Sequence, residues 1–530
     1  MNYKSDDKSW VVNGDFFWPS SYLKKSVSDS LYDSLAMSTE KHPEGTCIID
    51  DFGSVYSYKK FLEMTDNFAA LLSEHYHVKF GSHVALLLYN SIEFCVAFFA
   101  ISKLRAVAIP FPTKYKKEEI FSLIAKSDLN GIICDKDFYE WFHQDFEMTT
   151  FFIIKTNSYI RAYTLPEYEQ RTYPIAAVPS GNDPAIIMFT SGTTSKSKGA
   201  LLTNHNIMSA IHAYQKILGI TEHDSTIIPI PIYHVTGLIA LLGLFIHTGS
   251  CIHLHKFFDA NRILLDISHF QITFLHASPT VFSLLLQHKA DFPSLPSLRA
   301  LACGSSNMPA SKIHALHDWL PAMKFHTVYG LTETSSPACI FPDDAAISPY
   351  IGSSGHPIPG TSFKICNAAG NLLPPGSIGS ILIKGDVVLS KYYNFKTSAL
   401  SDGWLDTGDL GYFNDAGYLF IVDRKKDMIN RGGEKICSFD VENALYSIPG
   451  ITEAAVVGIK NDLYGEIPAA MVTLDPSSTL NQDSICALLK EKLAKYQIPV
   501  KIIISDSLPL TENLKTDKVY IRQLLSANIH

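Results

Sequence analysis

The chain has 530 residues, of which 46% are hydrophobic and 18% charged, and its formal net charge is -8. That length exceeds what one core ordinarily supports, so two or more domains are expected, and the mild acidity argues against nucleic acid as the main partner. The nine cysteines are scattered without C-x-x-C or zinc spacing, which suits buried free thiols in a reducing compartment better than disulfides or a metal knuckle.

The stretch Met1-Asn2-Tyr3-Lys4-Ser5-Asp6-Asp7 is polar, and the most membrane-like run, 238–246, is far too short to cross a bilayer. A cytoplasmic location without a membrane span is therefore expected. Residues 47–50 and 54–58 read as a hairpin across Asp51-Phe52-Gly53. A helix over 59–75, a buried strand over 84–88, a helix over 92–103 and a strand over 106–110 follow. A helix over 118–127 and a strand over 131–134 close a β–α–β–α–β series, the pattern of a parallel sheet covered by helices. Residues 137–180 are aromatic and irregular.

A short apolar strand over 185–189 then delivers the loop Thr190-Ser191-Gly192-Thr193-Thr194-Ser195-Lys196-Ser197-Lys198-Gly199. Small hydroxyl residues, two glycines and two lysines suit a polyanion: backbone N–H groups and hydroxyls wrap phosphate oxygens, and lysine adds point charge. The spacing is not that of a Walker A loop, and a flexible polar linker is the bland alternative. Helix 207–218 comes next, then a run leading to Pro231-Ile232-Tyr233-His234, and a strand–helix–strand over 271–303 ending at Gly304-Ser305-Ser306. Tyr329-Gly330-Leu331-Thr332-Glu333-Thr334 again puts glycine and hydroxyls after an apolar run. From about 353 to 418 glycine and proline are dense, predicting a small β subdomain that contains Gly403-Trp404-Leu405-Asp406-Thr407-Gly408-Asp409-Leu410-Gly411. Beyond Asp423-Arg424-Lys425-Lys426-Asp427 the texture is that of a compact α+β unit, with strands over 454–458 and 469–473 and helices over 441–447 and 482–492. The expected architecture is thus α/β. Residues 1–425 form a large domain of helix-covered sheets with the β subdomain, and residues 426–530 a small mobile α+β domain. Because parallel sheets bind ligands beyond the carboxyl ends of their strands, the polar islands are expected to share one cleft.

With these islands in this order, the chain resembles the adenylate-forming (AMP-binding) superfamily of acyl-CoA and aryl-CoA synthetases, stand-alone adenylation enzymes and luciferases, over roughly residues 30–525. The resemblance implies an ATP-dependent carboxylic acid–CoA ligase. A carboxylate attacks the α-phosphate of ATP, pyrophosphate leaves, and the acyl group passes to the thiol of coenzyme A. The alternative acceptor is the phosphopantetheine arm of an acyl carrier protein, and a degenerate nucleotide binder is a further rival. By resemblance, Thr190, Ser191, Gly192, Thr193, Thr194 and Lys198 hold the pyrophosphate end of ATP. Tyr329 and Gly330 with Gly304, Ser305 and Ser306 frame adenine, Thr332 meets the α-phosphate, and Glu333 holds Mg²⁺. Asp409 and Arg424 bind the ribose, and Lys426 is the hinge.

Lys515, at the end of Leu508-Pro509-Leu510-Thr511-Glu512-Asn513-Leu514-Lys515, resembles the family's catalytic lysine, with Lys518 as its rival. Gly432 and Gly433 look like the loop that lines the pantetheine tunnel. His234, Thr236, Cys303 and Ser335 are taken as acyl-pocket walls, and the missing aspartate near His234 disfavours an α-amino acid. Standing alone, His234 would read as a core histidine, Asp409 as a turn residue, Arg424 as a surface ion pair and Glu333 as a helix-start carboxylate. Ser195 and Ser197 replace the family's usual glycine and proline, Leu514 replaces the glycine before the lysine, and Arg105 stands where glycine is common.

Overall fold

The computed structural model describes residues 11–12, 15–17, 30–142, 151–156, 180–190, 197–511 and 515–527. Ser191, Gly192, Thr193, Thr194, Ser195 and Leu514 lie outside the described residues. Among those described, the strands form four sheets.

The first sheet carries, in spatial order, Lys391–Tyr393, Gly199–Thr203, Pro184–Phe189, Val107–Pro110, His83–Leu87, Gly131–Cys134 and Phe152–Lys155. Its strands from Pro184–Phe189 to Phe152–Lys155 are parallel. Both faces are covered, so Val84 to Leu88 are fully buried, which is why they read as one unbroken apolar run. The crossover helix Ile92–Lys103 starts where the Ser91 hydroxyl accepts from the Phe94 N–H, and it is apolar all round because it too is buried.

The second sheet runs His356–Pro357, Cys339–Ile340, Lys324–Tyr329, Ala300–Cys303, Phe274–Ala277, Ser225–Ile228, Cys251–Leu254, Thr46–Ile49 and Val55–Ser57. The hairpin formed by its last two strands does not head the first sheet, as the strand–helix alternation suggests. Ile48 and Ile49 pair in parallel with Ile252 and His253 instead. Helix Tyr58–Glu74 bridges the two sheets, with Phe61 packed edge-on against Phe99 at 5.5 Å. Local alternation fixes neither the sheet nor the edge that a hairpin joins.

The glycine-rich stretch supplies a third, antiparallel sheet from Thr361–Cys366, Gly379–Gly385, Leu400–Ser401, Trp404–Phe413 and Leu419–Arg424, extended by Val11–Val12 and Asp15–Phe17. Past the turn at 425–427, a fourth sheet of Ile429–Arg431, Glu434–Ile436, Ile451–Asn461, Gly465–Leu474 and Lys501–Ile504 packs helices Ser438–Tyr446 and Gln482–Leu489 on one apolar cluster. Helix Lys518–Ala527 covers a second cluster built around Ala455, Val457, Ile521 and Leu525. These clusters are separate from those of the first three sheets.

The most apolar run is neither a strand nor a span. Thr236–Gly243 is a π-helix continued by the α-helix Leu244–Thr248, with every residue of the π segment buried. Among the described residues no helix is long and apolar enough to cross a membrane. Each fully buried Leu or Ile here stabilises the fold by about 1.5–3 kcal/mol, while the widened turn spaces the chain differently just after His234.

Arg105 shows why glycine suits its position: its φ is 52°, in the left-handed region. The strain is offset by ion pairing of its guanidinium with Asp183 at 2.7 Å and by its seat over the Phe80 ring at 4.7 Å. Arg105→Ala removes both contacts and keeps a Cβ in the strained backbone, whereas Arg105→Gly relieves the strain. We therefore expect the alanine variant to be less stable than the glycine variant by about 1 kcal/mol, read as midpoints in denaturant unfolding.

Candidate active site

The parallel strands Phe274–Ala277, Ala300–Cys303 and Lys324–Tyr329 all end at one cleft of about 1140 Å³, which Thr190 and Lys198 of the first sheet also line. The loop that begins at Thr190 is stapled at its base, since the Thr190 N–H donates to the Lys198 carbonyl at 3.0 Å. Gly304, Ser305 and Ser306 lie on the same wall. After Tyr329 the chain turns tightly into the single helical turn Thr332–Thr334 and leaves it through left-handed Ser335 and Ser336. A Cβ on Gly330 would collide with the Ser336 carbonyl oxygen, so only glycine fits there.

Asp409 and Glu333 are among the carboxylates that line this space. Asp409 accepts a hydrogen bond from the Tyr329 hydroxyl at 2.8 Å, and Arg424, its cross-strand partner, brings Nε to 3.4 Å. Burial pushes the Asp409 carboxyl above the usual range, and Arg424 and Tyr329 pull it back. Glu333 accepts from the Tyr392 hydroxyl at 3.0 Å, and the Leu389 N–H holds its carbonyl at 2.9 Å. Tyr392 also lies under Lys198, whose Nζ is 5.3 Å from the ring centroid and 5.1 Å from that of Phe395. Tyr392 is thus a cleft residue that the sequence reading missed. Its signal is the first of the two aromatic rings in Lys391-Tyr392-Tyr393 at the edge of the first sheet.

Lys515 enters the same cleft from the small domain. Burial and the nearby Arg424 lower its pKa to about 8, against the pull of Asp409 and Glu333. The rival Lys518 is occupied: its ammonium pairs with Glu442 at 2.7 Å and donates to the Ser438 hydroxyl at 2.9 Å. Burial works against that charge, but Glu442, Asp423 and Asp427 together hold Lys518 above its ordinary value. Asp423 ties the two units together by accepting from the Ser438 N–H at 2.6 Å. Lys312 of the large unit lies 4.6 Å from the ring centroid of Tyr446 in the small one.

His234 and Thr236 line the cleft. The Thr236 N–H donates to His234 Nδ1 at 3.4 Å, which leaves the ring proton on Nε2. Burial, with Lys515 and His276 nearby, lowers the His234 pKa to about 3, so the ring is neutral. Asn90 braces this segment: its side-chain oxygen accepts from the Ile232 N–H at 2.7 Å while its amide donates to the Ile230 and His255 carbonyls. A lone asparagine just past an apolar strand was its only signal.

Two expected pocket walls are elsewhere. Cys303 is buried on the strand ahead of Gly304, with burial pushing its thiol up, and it does not line the cleft. Ser335 is also fully buried, its hydroxyl donating to the Val387 carbonyl at 3.1 Å, and its neighbour Ser336 faces the cleft instead. Gly432 and Gly433, with φ of 60° and 98°, form the tip of the hairpin Ile429–Arg431/Glu434–Ile436 and are exposed away from the cleft. Lys426 lies on the cleft rim in the turn between the third and fourth sheets.

This strand-end cleft brings together Tyr329, Glu333, Asp409 and Arg424 of the large unit and Lys515 of the second. Residues 35–393 match the AMP-binding enzyme family and residues 440–515 match the AMP-binding enzyme C-terminal domain. The chain belongs to the AMP-binding enzyme family. It is an acid–thiol ligase, with the mixed α/β fold of adenylate-forming enzymes. It is 30% identical to a 2-succinylbenzoate–CoA ligase of Bacillus cereus (strain AH820) over 454 residues, 85% of this chain and 90% of that one. Among solved structures it superimposes on the o-succinylbenzoate-CoA synthetase of Bacillus subtilis bound to its acyl-adenylate intermediate. The TM-score is 0.80 and the identity 27%, over 93% of this chain and 97% of that one. The same enzyme bound to ATP and magnesium ion gives a TM-score of 0.79 at 28% identity, over 93% and 98% of the two chains.

Proposed function

We propose that this AMP-binding enzyme is an ATP-dependent carboxylic acid–CoA ligase whose adenylating centre is the cleft just described. The observation that carries the reading is the convergence of Lys515, Glu333, Asp409, Arg424 and Tyr329, five residues from distant parts of the chain, around one cavity. In the first half reaction a substrate carboxylate oxygen attacks the α-phosphorus of ATP. A C–O–P linkage forms, the α–β phosphoanhydride bond breaks, and pyrophosphate departs. Such a step needs alignment and neutralisation of charge rather than covalent help.

Lys515 meets the negative charge that builds between carboxylate and α-phosphate, with Thr332 donating on the other side. The loop from Thr190 to Lys198 holds the leaving pyrophosphate. Tyr329 offers its ring to adenine between Gly330 and Gly304-Ser305-Ser306, and Asp409 with Arg424 binds the ribose. Magnesium supplies charge neutralisation on the phosphates when bound. Glu333 suits it, because Mg²⁺ takes one or two carboxylates and fills its remaining positions with phosphate and water. Among the described residues there is no three-ligand protein cage.

In the second half reaction the CoA thiol attacks the acyl carbon and AMP leaves. Gly432 and Gly433 lie outside the cleft in the present arrangement, so this step calls for the small domain, residues 426–530, to turn about Lys426. The turn at 425–427 is the covalent crossing between separately packed cores, which supports the hinge. Lys425 braces it by pairing with Asp406 at 2.7 Å.

His234 is neutral and presents an N–H, so its work is to shape the acyl site. His234→Ala should lower kcat/KM for the acid about tenfold, roughly one lost buried hydrogen bond, and leave KM for ATP within about twofold. An unchanged acid profile would return His234 to a packing role. The reading itself is tested by a pyrophosphate-release screen over aryl, short-chain and fatty acids, with CoA and with a phosphopantetheinylated carrier protein as acceptors. Release that depends on acid and CoA is expected; release coupled only to the carrier protein would overturn the choice of acceptor.

A further inference from the structure

One buried imidazole in the cleft wall has no role in the chemistry above. His276 lies on the strand Phe274–Ala277 in register with Ala302, and it is 1% exposed. Neither of its ring nitrogens has a hydrogen-bond partner. Two polar rings near it are already engaged, while His234 is close enough for the two imidazoles to act on each other. The Tyr214 ring lies edge-on at 5.8 Å, and its hydroxyl is bonded to Ser336 at 2.9 Å. His326, two strands along the same row, bonds through Nδ1 to the Phe341 carbonyl at 2.9 Å. Gly304 stands beside it: a Cβ there would lie 3.6 Å from His276 Nε2, an ordinary contact, and both residues line the cleft.

A buried polar ring with both nitrogens unmet is a standing penalty that a phenyl ring of similar shape would remove. Retaining it makes physical sense if the partner arrives with the substrate. Burial, with His326 adding to it, lowers the imidazole pKa to about 3, so the ring offers one donor and one acceptor and no charge. An uncharged group that gives and takes hydrogen bonds matches that pair.

We propose that His276 is a specificity-determining residue, and that the acid this enzyme activates carries an uncharged hydrogen-bonding substituent, a hydroxyl, carbonyl or amide, which meets the imidazole beside Gly304. The proposal rests on the ligase reading of the cleft. It names a feature of the substrate, since a site built to bond a polar group discriminates strongly against the analogue that lacks it.

The test uses matched sets of acids that differ only in bearing hydrogen, hydroxyl or a second carboxylate at one position, assayed by pyrophosphate release with the full-length enzyme, His276→Phe and His276→Asn. The wild type should favour the hydroxylated acid at least tenfold in kcat/KM, chiefly through KM. His276→Phe should abolish or invert that ratio, and His276→Asn should restore part of it. Without substrate, His276→Phe should melt a few degrees higher than the wild type, because it removes an unmet polar ring. Equal ratios in wild type and His276→Phe, a preference for the second carboxylate, or a lower melting temperature for His276→Phe would overturn the proposal. Release with no acid at all in the wild type would instead overturn the ligase reading, and the melting comparison would still report on the ring.

Discussion

Replacing Lys515 by alanine should reduce acid-dependent ATP–pyrophosphate exchange by roughly 100- to 1000-fold, about 3–4 kcal/mol of transition-state stabilisation. Use of a preformed acyl-adenylate with CoA should stay near wild-type rates. The split follows from position. Lys515 is the cation that the small domain sends to Asp409, Glu333 and Arg424, whereas Lys518 is paired with Glu442 and Ser438. Lys518→Ala should therefore weaken the small domain's fold more than the chemistry.

The charge of Lys515 also sets a pH limb. With a pKa lowered to about 8, its ammonium is present below that pH and lost above it. The value of kcat/KM for ATP, which reports the free enzyme, should then fall as pH rises through about 8. Lys515→Arg, which does not deprotonate in this range, should remove that limb whatever its absolute rate. Bound polyphosphate favours the charged lysine, so kcat should decline at a higher pH than kcat/KM. Equal exchange rates for wild type and Lys515→Ala would remove the residue from the adenylation step.

The second large effect belongs to Glu333. Glu333→Gln keeps the side chain's shape and an oxygen able to accept from the Tyr392 hydroxyl at 3.0 Å, so the turn at Thr332–Thr334 should persist. What it removes is the negative charge suited to magnesium. Adenylation should drop by roughly 100-fold or more, with the magnesium dependence displaced to higher concentration. Tyr392→Phe removes only one hydrogen bond to the same carboxylate, about 1–2 kcal/mol, and should give a smaller loss without so large a displacement. Titrating magnesium at fixed ATP separates the two variants. Identical magnesium curves for wild type and Glu333→Gln would reassign the carboxylate to a structural role.

The sequence was most informative where burial on both sides leaves a continuous apolar run followed by small polar residues. The strands His83–Leu87, Pro184–Phe189 and Ala300–Cys303 are of this kind, each followed by small or polar residues at its end. It was less informative where position depends on the direction in which neighbouring side chains point. Cys303 and Gly304 are adjacent, yet only the glycine reaches the cleft, because Cys303 is buried within its strand while Gly304 lies just past the strand's end. Ser335 and Ser336 exchange places through left-handed backbone at φ of 55° and 96°, which residue type alone does not announce. The π-helix at Thr236–Gly243 has no period of its own in so uniformly apolar a run. Asn90, Tyr392 and His276 are single polar residues brought to the site by long-range packing, and a chain-order reading gives such residues little weight. Arg105 is the converse: an apparent departure becomes legible once its φ of 52° and its Asp183 partner are seen together.

The most direct test of a two-step ligase in this cleft is a product analysis of one turnover. Enzyme, magnesium, ATP and a screened acid are mixed first without and then with CoA, and nucleotides and acyl species are followed by mass spectrometry. The account predicts acyl-adenylate and pyrophosphate before CoA is added, then acyl-CoA and AMP in equal amounts after it. Formation of ADP and inorganic phosphate, or acyl-CoA without a preceding adenylate, would contradict it.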